Sequence, residues 1–392
     1  MLVFRPALLA VAAALVGVSA APAAVAAHAT TRDVSVCRHA GTAKARCFAI
    51  RVDHVRRGRV RHATTPAGYG PADLQAAYAL PSEAAGVGET VAIVDAYDDP
   101  DAEADLAVYR KQFDLPPCTA ASGCFAKADQ RGGVDLPEPD PGWAEEISLD
   151  LDMASAICPN CHLLLVEADS ASMAALGAAE RTAVTLGANA VSNSWGGPDM
   201  KDQYYGRYFH HSGVAITASA GDDGYGVSYP ASSKWVIAVG GTTLRRSSAP
   251  RGFSETAWSG SGSGCSTYNK TTWQEASTTG CAGRAVADVA AVADPATGVA
   301  VYDTLDYQGA HGWLTFGGTS ASAPIIAATF ALAGNTGDVT DGAYIWTHHT
   351  GDSLWDVRSG SNGTCATPQW CNAANGWDGP TGWGTPNGVT AF

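Results

Sequence analysis

The chain is poor in charge. Asp, Glu, Lys and Arg make up only 16% of its 392 residues, against 46% hydrophobic ones, which excludes a disordered chain or a coiled coil. Basic residues are the scarcer sign: 24 Lys and Arg face 38 Asp and Glu, for a formal net charge of −14. A surface of that sign repels nucleic acid and anionic lipid, so neither is an expected partner. Long apolar runs are lacking too. The strongest, Leu8 to Val18, falls short of the ~20 residues a spanning helix needs. With Arg5 before it and Ala24-Val25-Ala26 or Val25-Ala26-Ala27 after it, residues 1–27 read as a cleaved export signal, leaving a secreted protein with no membrane segment. Internal repeats are absent as well.

Cysteine, by contrast, is present ten times, in five close sequence pairs: Cys37/Cys47, Cys118/Cys124, Cys158/Cys161, Cys265/Cys281 and Cys365/Cys371. An even count in an exported chain points to disulfides, with neighbour pairing the expectation although spacing alone does not fix connectivity. Zinc is the rival reading for Cys158-Pro-Asn-Cys161-His162, but no second ligand pair stands near in sequence.

Residues 28–66 form a short basic pro-region or arm carrying Arg51, Arg56, Arg57, Arg59 and Arg61; the plainer reading is a solvated tail. From residue 67 to 392 the pattern is that of one domain. Expected strands at Val91–Asp95, Leu163–Glu167, Ala190–Ser194, Val214–Ser219 and Trp235–Val239 alternate with expected helices at Ala104–Phe113, Trp143–Ile157, Ala171–Leu186 and Lys201–His211. The strands are continuous apolar runs, as in a parallel sheet covered by helices on both faces. In such α/β sheets reactive groups gather at the carboxyl ends of the strands.

Three segments carry the chemistry. Gly317-Gly318-Thr319-Ser320-Ala321-Ser322 precedes an apolar, Ala-rich stretch, so Thr319 or Ser320 is expected to cap a buried helix. A serine there has free backbone N–H groups at hand for a developing oxyanion. Its hydroxyl needs a base, and none of the ten histidines sits in a Gly-rich turn before a helix with a small-residue face. His162 and His311 would have to serve in a His-based hydrolase. The segment Trp143 to Met153 offers Glu146 and Asp150 instead, four residues apart and therefore on one helical face. On an apolar face two such carboxyls share a proton, and the pair can act as base and then acid. Finally, Asp222 follows the run Val214 to Gly221 at an expected strand end, where a protonated carboxyl can donate to an oxyanion. Taken singly, each segment also has a plain reading: a helix cap, an acidic helix start, an Asp-Gly turn.

Together, in this order, they resemble the sedolisins, relatives of subtilisin in which Glu replaces His. Ser194-Trp195-Gly196-Gly197, Tyr229 to Ser233 and Gly240-Gly241-Thr242 extend the likeness from about Gly70 to the carboxyl terminus. The resemblance implies a subtilisin-like α/β fold and a monomeric serine-type endopeptidase acting on proteins or peptides at acidic pH. It gives Ser320 as nucleophile, Glu146 and Asp150 as acid–base pair, and Asp222 at the oxyanion. It also implies one Ca²⁺, held by the Asp356 and Asp378 side chains and the Val357 and Gly376 carbonyls, a donor set of hard oxygens. Two features depart from the pattern. Residues 28–66 are much shorter than the family's pro-domain, and Ala374 stands near where the family has glycine. A binding protein on a degenerate peptidase fold is the non-enzymatic alternative.

Overall fold

The computed structural model describes residues 1–3, 30–37, 41, 44–56 and 59–392. The expected export signal, with Arg5, Leu8–Val18 and the Ala24–Ala27 cleavage region, lies outside them, as does Arg57. Among the described residues no helix is long and apolar enough to cross a membrane.

The elements that frame the site, in chain order, are β1 (Thr30–Ser35), β2 (Arg46–Cys47), β3 (Ile50–Arg56), β4 (Thr90–Ala96), α1 (Ala102–Gln112), β5 (Phe125–Asp129), α2 (Pro141–Ile157), β6 (His162–Ala168), α3 (Met173–Thr185), β7 (Ala190–Asn193), β8 (Trp195–Pro198), β9 (Ala215–Ser219), β10 (Ile237–Arg246), β11 (Phe253–Ala257), β12 (Val289–Val292), β13 (Val299–Tyr307), β14 (Ala310–Gly317) and α4 (Thr319–Ala333). The main sheet runs β11-β10-β9-β7-β4-β6-β5, with β12 also on β10. Every pairing in it is parallel except β10 with β11. This is the subtilisin-like α/β sheet with helices on both faces. Strands such as Thr90-Val-Ala-Ile-Val-Asp-Ala96 are buried from Val91 onward, which is why they read as unbroken apolar runs.

Two helices carry the site. Asp140 caps α2, its side chain accepting from Gly142 N at 3.0 Å and Trp143 N at 3.1 Å, and Pro141 occupies the first turn, where no N–H is needed. Helix α4 is apolar all round and buried over Thr319–Leu332, as an internal helix must be; it ends at Gly334, whose φ of 70° is left-handed. The two helices pack on each other, and both pack on the sheet. Burying side chains such as Ile325, Ile326 and Phe330 contributes about 1.5–3 kcal/mol each.

Three sequence expectations are corrected. The helix expected over Lys201–His211 is only Asp202–Tyr205 followed by a 3₁₀ turn at Gly206–Tyr208, with Gly206, a poor helix former, at the break. The strand expected at Trp235–Val239 begins at Ile237 and runs on to Arg246. Neither Thr319 nor Ser320 caps α4: the cap position is Gly318, at φ 94°, and Ser320 lies within the first turn. All five neighbour disulfides are present, and the Cys158–Cys161 bond rules out a zinc site there.

The arm is woven into the domain. Strand β1 pairs with β3 from Thr30↔Val55 to Ser35↔Ile50, and β3 in turn pairs with β14 at Arg51↔Phe316 and Ile50↔Gly317. Strand β2 pairs with β8 at Arg46↔Gly196 and Cys47↔Trp195. Arg51 is fully buried and forms ion pairs with Asp53 and Glu145. These contacts replace the solvated-tail reading.

Candidate active site

The sheet and helix α4 bring the three sequence segments together. Ser194 follows β7, and Gly221-Asp222 follows β9 after Ala220, so both stand at carboxyl ends of strands, beside Ser320 in the first turn of α4. The Ser320 hydroxyl donates to the Ser194 carbonyl at 2.9 Å and accepts from the Phe48 amide at 3.0 Å. Glu146, Asp150 and Ser320 are all fully buried.

Glu146 and Asp150 share one face of α2, as their spacing requires. Asp150 Oδ2 accepts from Ser194 Oγ at 2.6 Å, while neither oxygen of Glu146 completes a hydrogen bond. Burial, then the charges of Asp150 and Asp95, hold the Glu146 carboxyl well above its ordinary range; the neighbouring Ser320 hydroxyl pulls the other way. Burial likewise raises Asp150 well above the usual range, against the hydrogen bond from Ser194 and the nearness of the Glu146 carboxyl. Carboxyls placed so close inside a protein do not all ionise, and the group retains a proton.

Asp95, at the end of β4, is a third member that the sequence reading did not single out. It is fully buried with both oxygens unpartnered, and burial followed by the charges of Asp150 and Glu167 pushes it up. Its only sequence signal was an acidic residue at the carboxyl end of an otherwise apolar strand.

Asp222 is anchored by one oxygen only. Its Oδ1 accepts from Thr319 N and Thr319 Oγ1, both at 2.8 Å, while the buried Oδ2 has no partner. Burial pushes its pKa up to about 7, against the pull of the Thr319 bonds. Below that pH the free oxygen carries a proton to donate. No described histidine hydrogen-bonds to Ser320: His162 starts β6, at the amino end of the sheet, and His311 faces Asp306 at 3.1 Å on the surface.

The expected calcium ligands also converge. Asp356 Oδ2 accepts from Gly376 N at 3.2 Å and from Arg358 Nε at 2.8 Å, and its buried Oδ1 is unpartnered. The Val357 and Gly376 carbonyls accept no hydrogen bond among the described residues. Asp378 is fully buried, bonded to Ala374 N and Thr381; burial, and to a lesser degree the Asp356 charge, raise it to about 7. Two acidic residues on these loops, one of them with an orphaned oxygen, are a hard-oxygen donor set of the kind a divalent cation takes. Among the described residues no group of three or more His, Cys, Asp or Glu side chains suited to a metal occurs, at these loops or elsewhere.

Residues 139–359 match the model of the Subtilase family. The chain is 31% identical to kumamolisin of Bacillus sp. (strain MN-32) over 367 residues, covering 83% of this chain and 63% of that one. It is 32% identical over 203 residues to sedolisin of Pseudomonas sp. (strain 101), covering 44% and 33%. It thus spans less than two thirds of the length of these relatives. Among solved structures, Pseudomonas sedolisin, a serine-carboxyl proteinase complexed with two molecules of pseudo-iodotyrostatin, superposes with a TM-score of 0.68 at 26% identity, over 82% of this chain and 96% of that one. The carboxyls gathered around a serine to which no described histidine bonds, the sheet and these likenesses agree: the chain belongs to the subtilase family, in its sedolisin branch.

Proposed function

We propose that the protein is a secreted serine-carboxyl endopeptidase that hydrolyses peptide bonds of proteins at acidic pH. The observation that carries this reading is the convergence of Glu146, Asp150 and Asp222 on Ser320, with no described histidine bonded to it. The Ser320 hydroxyl turns from the Ser194 carbonyl to Glu146, which takes its proton as Oγ attacks the peptide carbonyl. Asp150, held by Ser194, positions Glu146 and shares its proton. Protonated Asp222 and the Ser320 N–H receive the oxyanion. Glu146 then protonates the leaving amine, and water hydrolyses the acyl-enzyme by the same steps reversed.

Carboxyl bases lose their protons at lower pH than imidazole, and Asp222 must keep its own, so both demands favour acid. Calcium, held by Asp356, Asp378 and the Val357 and Gly376 carbonyls, would act structurally by tying the two loops together. The net charge of −14 and five disulfides suit an exported monomer.

The test is the pH–rate profile on an unfolded protein substrate, with Ser320→Ala alongside. Turnover should peak below neutrality and fall by orders of magnitude in the variant. An optimum above neutrality, or unimpaired turnover by Ser320→Ala, overturns the reading, and so does a chain that binds peptides without a serine-directed phosphonate labelling Ser320.

A further inference from the structure

Buried acids fasten the hairpin that leads to Ser320. Strands β13 and β14 pair antiparallel, and β14 runs through Gly317 and Gly318 into the first turn of α4. Strand β13 packs on α1 and α2, and acids from both helices hold its backbone. The Tyr302 amide donates to Asp152 Oδ2 of α2 at 3.0 Å, and the Thr304 amide donates to Asp105 Oδ2 of α1 at 2.7 Å. The Thr304 hydroxyl adds a bond to Asp105 Oδ1 at 2.9 Å. Between these two clips Asp303 is fully buried; its Oδ1 accepts from the Leu305 amide at 2.6 Å and its Oδ2 has no partner. Asp99, in the loop before α1, and Glu145 of α2 complete the group. Both are fully buried, and Glu145 Oε2 is unpartnered.

The cations facing these acids are already committed. Arg51 of β3 pairs with Glu145 but also with Asp53. Arg110 of α1 faces Asp152, yet its guanidinium donates to the Pro116 and Pro159 carbonyls and to Ser155 Oγ. Lys127 of β5 faces Asp99 but pairs with Asp98 and, at 3.0 Å, with Glu167. Asp101 beside Asp99 and Asp105, and Asp53 and Asp306 beside Glu145, add charge of the same sign; the buried Tyr109 hydroxyl near Asp152 adds none that is positive. Burial raises Asp105 to about 6, Asp99 to about 7 and Glu145 to about 8, against the bonds from Thr304, the Asp101 amide and Arg51 in turn. Burial also lifts Asp152 and Asp303 well above the ordinary range, and the charges of Asp99, Glu145 and Asp105 lift Asp303 further. Such groups bind protons more tightly with β13 docked than with β13 in water. Docking is therefore fully supported below the ordinary carboxyl range and weakens as pH climbs through about 6 to 8.

We propose that Asp99, Asp105, Glu145, Asp152 and Asp303 form a proton-operated clasp: protonated, it docks the β13–β14 hairpin on α1 and α2; deprotonated, it releases the hairpin and with it the Gly317–Gly318 turn that sets Ser320. None of the five takes part in the chemistry proposed above. Glu145 and Asp152 bracket the Glu146–Asp150 pair on α2, so one interface joins the helix of the acid–base pair to the strand leading to the nucleophile. Like charges driven into such an interface repel, and undocking lets water solvate them. Release disarms the site by displacing Ser320, whereas titration of Glu146 or Asp222 alters the chemistry in place. That consequence for turnover rests on the peptidase reading; the release itself does not.

Amide hydrogen exchange is followed in the full-length Ser320→Ala variant at pH 5 and pH 8, corrected for the intrinsic effect of pH and resolved over β13, β4 and β6. The β13 amides around Tyr302 and Thr304 should lose protection by on the order of 10-fold or more at pH 8 while β4 and β6 keep theirs, the pattern of a local opening. Asp303→Asn keeps an oxygen for the Leu305 amide and carries no charge at any pH. Added to Ser320→Ala, it should hold β13 protection at pH 8 near the pH 5 value. Asp306→Asn, a charge removed from the exposed end of the hairpin, should leave the opening as it was. Equal protection of β13 at both pH values overturns the inference, and so does a loss spread evenly over β13, β4 and β6, which is global unfolding. Both outcomes are read in Ser320→Ala alone, so they hold even where Asp303→Asn fails to fold. Casein hydrolysis by the wild type is measured in parallel: a chain whose β13 opens as described but which cuts no casein overturns the peptidase reading alone.

Discussion

Ser194 Oγ donates to Asp150 Oδ2 at 2.6 Å, and so a side chain from the end of a central strand fixes the second carboxyl of the α2 pair. That bond favours the ionised form of Asp150 in a site where burial opposes ionisation. Ser194→Ala removes it but keeps the backbone carbonyl that receives Ser320. A hydrogen bond to a charged group is worth about 1.5–3 kcal/mol, so kcat/KM should fall roughly 10- to 100-fold. Ser194 acts through Asp150, so the acid limb of the pH–kcat/KM profile should also move to higher pH. A rate loss with an unmoved limb would mean a merely structural role.

Asp222 gives a second, separable pH effect. Its Oδ1 is committed to Thr319 as an acceptor, and only Oδ2 can donate. With a pKa raised to about 7, chiefly by burial, it loses its donor as pH rises through that value, and kcat should fall on the alkaline side. Asp222→Asn keeps an acceptor toward Thr319 and a donor at the second position, so it should retain much of the rate and lose the alkaline limb. Asp222→Ala should cost on the order of 10²–10³ in kcat, as loss of one oxyanion donor does. The comparison of the two variants across pH 4–8 decides the assignment.

What could be read in the sequence depended on how local the signal was. Glu146 and Asp150 are one helical turn apart on a segment whose capping Asp140 and Pro141 also stand in the sequence. Asp222 and Ser320 adjoin strand and helix boundaries that glycine marks. Asp95 carries no such mark: a strand ending in Asp is ordinary until the fold sets α2 across it. The place of Phe48 was invisible too. Nothing in Cys47-Phe48-Ala49 distinguishes a solvated arm from a bound strand, because its partners Trp195 and Gly317 lie more than a hundred residues away. The helix expected over Lys201–His211 shortens because a single glycine, Gly206, stands within it.

Buried carboxyls should also set how stability varies with pH. Burial pushes Glu180 up to about 8 against the pull of the Asn193 side chain, and it pushes Asp99 up to about 7 against that of the Asp101 amide. Such groups bind protons more tightly folded than unfolded, so their effect on stability is fully favourable below the ordinary carboxyl range. It is lost as pH rises from about 4.5 through 8. Asp53 works in the opposite direction: hydrogen bonds from Arg51 and Arg32 outweigh its burial, and its contribution declines only below pH 3.8. The thermal midpoint should therefore be higher at pH 5 than at pH 8. Glu180→Gln should flatten the difference, and a midpoint that rises from pH 5 to 8 would contradict the balance drawn here.

The carboxyl-terminal loops offer the last prediction. Asp356 presents a buried, unpartnered Oδ1, and the Val357 and Gly376 carbonyls are free to coordinate. Asp378 brings a second carboxylate to the same loops from a fully buried position. Leaving such oxygens without a partner costs about 1–3 kcal/mol each, whereas a bound dication satisfies several at once. A cation that binds only the folded chain stabilises it by about 2.7 kcal/mol at a hundred times its dissociation constant. Calcium should therefore raise the thermal midpoint and a chelator should lower it, whatever the catalytic state; Ser320→Ala should respond like the wild type. Asp378→Ala should remove most of the calcium response, and Asp356→Asn part of it, since its carboxylate also serves Arg358 and Gly376 N. A midpoint indifferent to calcium and chelator alike would mean that Arg358 and the backbone donors alone satisfy these loops.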